Sequence, residues 1–98
     1  MTADRDDGAG DAARLESLRS KIAALDDELV GILAQRLAVA AEIGAIKERL
    51  QLPVMDPARE AEVVRRAAAG ARDRGVDPEL VRAVLWRIID HARGVQHG

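Results

Sequence analysis

Between Leu15 and Leu50, apolar residues recur at Leu15, Leu18, Ile22, Leu25, Leu29, Ile32, Val39, Ile43, Ile46 and Leu50. This alternating three-four spacing, kept over five heptads, places them on one stripe of an α-helix. The pattern predicts a single helix from roughly Asp11 to Leu50, on the order of 55 to 60 Å long. No proline interrupts it, and its only glycines are Gly31 and Gly44. The segment Gln51-Leu52-Pro53-Val54-Met55 breaks the spacing, because Pro53 lacks an amide donor and turns Leu52 away from helical angles. Asp56-Pro57 then couples an N-cap acceptor to a proline at the first helical position. It opens a second helix that ends near Arg74, where Gly75 supplies the stop. Asp77-Pro78 repeats the start signal, and Leu80, Val81, Val84, Leu85, Ile88, Ile89 and Ala92 give a third helix that fades near Gly94.

Strand signals are absent, so the chain reads as all-α with three helices, one very long and two shorter. Residues 1–14 are acidic and rich in Gly and Ala, and read as a disordered tail. Residues 15–98 form one helical domain. The stripe of the long helix widens through Val30, Leu33, Leu37 and Ala40, beyond what two short helices can cover. A chain of 98 residues also buries too little surface alone to be more than marginally stable. An intertwined helical homodimer, in which the long helices pair and the others close the ends, is the expected assembly.

Composition narrows the function. A formal net charge of -2 and a single aromatic residue, Trp86, argue against nucleic-acid and membrane-surface binding. There is no cysteine, and His91 and His97 do not make a zinc motif. The tail has no apolar run of the secretory kind, so the cytoplasm is the expected location. Neither a Ser/His/Asp set nor a Gly-rich phosphate loop is present, and the sequence calls for no metal or cofactor.

What remains is a set of polar residues in apolar places. Arg36 occupies the heptad position between Ile32 and Val39, so a guanidinium sits on the seam. Either a carboxylate meets it or the site receives an anion from outside. Lys47 lies eleven residues on, about 20° around the helix and roughly 16 Å along it, leaning to the same side. The plain reading of both is a structural ion pair or a side chain snorkelling to the helix edge. Arg19 flanks the stripe seventeen residues before Arg36, roughly 25 Å away, too far for one helix to bring both onto a small molecule. An antiparallel partner helix crossing near Asp27 and Glu28 would bring them level; in isolation, Arg19 reads as a solvent-exposed charge. Asp56, Arg59 and Glu60 cluster in the first turn of the second helix. Capping accounts for Asp56, while Arg59 and Glu60 are ordinary surface charges in the absence of a ligand. Gln96 extends the stripe Val81, Leu85, Ile89, Ala92 inward if the helix persists, and frays into solvent if it does not. Together these groups suit a small polyanion whose charge shifts during reaction, without proton transfer or covalent attachment.

The runs Leu18-Arg19-Ser20-Lys21-Ile22-Ala23-Ala24-Leu25-Asp26, Arg36, Ile43-Gly44-Ala45-Ile46-Lys47 and Leu52-Pro53-Val54-Met55-Asp56-Pro57-Ala58-Arg59-Glu60, in this order and spacing, resemble the all-helical chorismate mutase family. The resemblance continues through Gly75-Val76-Asp77-Pro78-Glu79-Leu80-Val81 and Ile88-Ile89-Asp90 to Gln96. It implies the Claisen rearrangement of chorismate to prephenate in phenylalanine and tyrosine biosynthesis, with no cofactor. By the same resemblance, Arg36 and Arg19 of the other subunit bind the two carboxylates, and Lys47 donates to the ether oxygen and a neighbouring carboxylate. Gln96 is the second ether-oxygen donor. Glu60 and the backbone near Asp56 take the ring hydroxyl, and Arg59 supports the wall and balances Glu60. Many members carry a small hydroxyl residue where this chain has Ala92, which removes one expected carboxylate contact that Arg93 could replace. Some small members are activated by binding another enzyme of the shikimate pathway.

Three other readings compete. Isochorismate pyruvate lyases resemble the same fold with a similar cationic pocket, but differ around the position of Glu60. Mutases of 4-amino-4-deoxychorismate change only the ring substituent near Glu60. A helical dimerisation or regulatory module needs no substrate, but requires its cations to be satisfied by Asp26, Asp27, Glu28 and Glu42.

Overall fold

The structure, a computed structural model, describes the backbone of residues 2–97 and the side chains of residues 8–94. Three helices follow in order, α1 (Thr2–Arg49), α2 (Pro57–Asp73) and α3 (Pro78–His97). There is no strand among the described residues, so the all-α expectation holds. Helix α1 is longer than its apolar pattern predicts. It starts at Thr2 rather than near Asp11 and runs through the segment that reads as a disordered tail. That segment contains no proline and is rich in alanine, with its acids toward the N-terminal end, where the helix dipole favours negative charge. Helix α3 likewise continues past Gly94 to His97.

The chain divides into two units, Met1–Arg36 and Leu37–Gly98. The first is a length of α1 alone, in which every residue from Gly8 to Gln35 is exposed. Its apolar stripe is exposed among the described residues: Leu25 is 53% exposed and Leu29 64%. The stretch Gly8–Arg49 is also long and apolar enough to cross a membrane by length and composition. Heptad spacing of its apolar residues is the signature of a helix covered by another helix.

In the second unit, α2 packs against α3. Val64, Ala68 and Ala71 of α2 are buried there, as are Ile89 and Ala92 of α3. Three of these five are alanines, with Ala68 at 0% exposure, so the pair gains its stability from close approach more than from large side chains. Among the described residues, no large side chain is fully buried. Local chemistry sets the ends. The Arg59 amide donates to Asp56 Oδ1 at 3.2 Å and the Glu79 amide to Asp77 Oδ1 at 3.0 Å, each such cap being worth about 1 kcal/mol. Helix α2 closes with Gly75 at φ 72°, its amide donating to the Arg72 carbonyl and that of Val76 to the Ala71 carbonyl. This paired closure needs a left-handed residue, for which glycine has no steric penalty. Helix α1 ends the same way around Gln51 at φ 58°. There the Gln51 amide bonds to the Glu48 carbonyl and the Leu52 amide to the Lys47 carbonyl.

Candidate active site

Along the C-terminal part of α1, the half-buried residues are Arg36, Leu37, Ala40, Gly44 and Lys47, while those around them are exposed. Of the two cations, Arg36 closes the first unit and Lys47 belongs to the second. Among the described residues no carboxylate pairs with Arg36, and neither Asp26, Asp27, Glu28 nor Glu42 forms an ion pair with it. Among the described residues the donors of Arg36 are therefore open to an anion.

Lys47 has a defined setting. Its ammonium donates to the Val54 carbonyl at 3.1 Å, while its own carbonyl accepts the Leu52 amide at 2.8 Å. One residue thus ties the connecting loop to the end of α1 from two directions. The ammonium has three donors and uses one here.

The first turn of α2 separates residues that the sequence groups together. Arg59 is exposed and pairs with Glu62 at 3.6 Å. It lines an open groove of about 830 Å³ with Glu62, Arg66, Arg74, Val76 and Val81. Glu60, its neighbour, is directed elsewhere: only 15% of its side chain is exposed, and Oε2 lies 3.7 Å from Nε of Arg93 near the end of α3. Arg93 is itself 21% exposed and also donates to Asp90. The partner that balances Glu60 is therefore Arg93 and not the expected Arg59. Consecutive helical residues point about 100° apart and cannot share a face.

The other expected site residues are placed as follows. Asp56 caps α2, as its sequence setting predicts. Arg19 is exposed on the first unit, 4.0 Å from Glu16. Ala92 is buried at the contact of α2 and α3, so a hydroxyl residue there would enter that contact. Position 96 is helical, but the Gln96 side chain lies outside the described residues. Among the described residues no cluster of acidic and imidazole groups could hold a metal ion. Taken as residue types, these side chains are cationic donors and one carboxylate acceptor, chemistry suited to stabilising charge.

Comparison with known proteins gives this set a context. The family described as chorismate mutase type II matches residues 18–97. A T-protein of Enterobacter agglomerans is 39% identical over 79% of this chain, which spans 21% of that protein's length. A 4-amino-4-deoxychorismate mutase of Streptomyces pristinaespiralis is 37% identical over 76% of the chain and 58% of its own length. A chorismate mutase of Methanocaldococcus jannaschii is 26% identical, over 85% of this chain and 84% of its own.

Proposed function

Because the chain belongs to the chorismate mutase type II family, we propose that it catalyses the Claisen rearrangement of chorismate to prephenate. The observation that carries this reading is the family match over residues 18–97, a span that contains Arg19, Arg36, Lys47, Glu60 and Gln96. In this reaction the ether C–O bond breaks as a new C–C bond forms within one molecule, so no acid, base or nucleophile is required. The enzyme has two tasks: to hold the substrate in its folded conformer and to meet the negative charge that grows on the ether oxygen.

In our reading Lys47 performs the second task. Its bond to Val54 fixes the ammonium at the loop, and its remaining donors serve the ether oxygen and a neighbouring carboxylate. Gln96 supplies a second, neutral donor. Arg36, unpaired among the described residues, binds one substrate carboxylate and Arg19 of a second subunit binds the other. Glu60 accepts from the ring hydroxyl, with the backbone near Asp56, while Arg59 acts from the pocket wall. This division of labour calls for a homodimer in which antiparallel α1 helices cover each other's apolar seams. Covering the seam with protein also suits a soluble, cytoplasmic enzyme.

The test is direct: loss of chorismate absorbance on mixing with the purified protein. No loss at any protein concentration would favour the regulatory-module reading. The similarity to a 4-amino-4-deoxychorismate mutase supports a second reading, in which the amino analogue is the substrate, and comparing turnover of the two compounds separates them.

A further inference from the structure

Resting on the proposed mutase activity, we infer that Arg93 determines which ring substituent the site accepts, favouring a neutral hydroxyl over a protonated amine. Two features set the Glu60–Arg93 pair apart from the other ion pairs among the described residues. It bridges two helices, the first turn of α2 and the end of α3, whereas Arg19–Glu16, Arg59–Glu62 and Arg82–Glu79 each join residues of one helix. It is also the most shielded, with 21% and 15% of its side chains exposed against 66% and 61% for Arg59 and Glu62. Charges withdrawn from water are screened less and act further.

Among the described residues, Glu60 has an ion-pair partner at only one of its oxygens. Arg93 approaches Oε2 through Nε at 3.7 Å, and an ionised carboxylate is an acceptor at both oxygens, so Oε1 remains available to a donor on the ligand. A hydroxyl donates there without adding charge. An ammonium would donate equally well, but it would bring a second cation beside the Arg93 guanidinium. The other charged group on Arg93, Asp90, has 60% of its side chain exposed, so solvent weakens its compensation. Arg93 thus acts through Glu60 as a positioning residue: it orients the acceptor and makes the surroundings unfavourable to positive charge. With a neutral residue in its place, Glu60 would stand as an uncompensated anion and attract an amine.

The experiment measures kcat/KM of the purified full chain on chorismate and on 4-amino-4-deoxychorismate. Wild type should prefer chorismate. Arg93→Met should move the ratio toward the amino compound by roughly tenfold, and Arg93→Lys, which keeps the charge, should retain the wild-type ratio. Asp90→Asn, an exposed substitution with little folding risk, should move the ratio the other way by roughly twofold. An unchanged ratio in Arg93→Met and Asp90→Asn, with turnover of chorismate intact, would overturn the role of Arg93 and leave the mutase assignment standing. Absence of turnover of both compounds by the wild type would overturn the assignment itself.

Discussion

Replacing Leu25 and Leu29 by alanine tests whether a second α1 covers the exposed seam. These residues are 53% and 64% exposed in a single chain. Complete burial of a leucine is worth about 2 kcal/mol, so covering the part still exposed contributes about 1 kcal/mol each. In a two-fold dimer every substitution counts twice. The double variant therefore removes about 4 kcal/mol of association free energy, roughly a thousandfold in the dimer dissociation constant. Alanine is the strongest helix former, so α1 itself should persist and helical circular dichroism should be retained at high concentration. Sedimentation across a dilution series, with chorismate turnover measured in the same samples, reads the effect. Wild type should sediment at twice 10.5 kDa at micromolar concentration. The variant should dissociate, and its specific activity should fall with dilution, because each site would lose the partner's arginine. A folded wild-type monomer with full activity, or a variant that dissociates no more readily than wild type, would refute the seam as the dimer contact.

Mixing inactive Arg19→Ala with inactive Arg36→Ala should restore about a quarter of wild-type activity, because random pairing makes half the dimers mixed and each mixed dimer has one intact site. Subunit exchange without recovered activity would contradict a site shared across antiparallel helices. Lys47→Ala should lower kcat about a hundredfold or more, as loss of a charged donor to a developing oxyanion does. Gln96→Glu should shift activity to acid pH, since only the protonated carboxyl donates and activity would decline as pH rises through its pKa. A nearly wild-type rate for Lys47→Ala with an unshifted profile for Gln96→Glu would remove both from the chemistry. Gly75→Ala should destabilise the fold by about 1 kcal/mol in urea denaturation, whereas Gln51→Gly should be neutral or stabilising by up to about 1 kcal/mol.

The parts of the fold legible in the sequence are those fixed by a few adjacent residues. Asp56-Pro57 and Asp77-Pro78 announce helix starts because the capping acceptor and the pre-set proline angle act over three residues, and Gly75 announces a stop for the same reason. The equivalent closure at Gln51 was not legible, since glutamine carries no left-handed preference and the position is imposed by the bonds to Lys47 and Glu48. Nor was the start of α1, because apolar spacing marks what a helix buries and residues 2–14 carry no such spacing. At the proposed site, Arg36 is legible as a charge interrupting a stripe. Arg93 as the partner of Glu60 is not, because the two are 33 residues apart and only the packing of α3 on α2 brings them together.

The alanine-lined contact of α2 and α3 also bears on the order in which the protein folds. Its five buried residues lie between Val64 and Ala92, so these contacts close short chain loops, and local contacts of this kind form in microseconds to milliseconds. If the proposed dimer forms, completion of the seam on α1 requires a collision between two chains, at a rate proportional to concentration. Refolding from urea should thus divide into a fast phase independent of protein concentration, as the hairpin of α2 and α3 forms, and a slower second-order phase, as turnover appears.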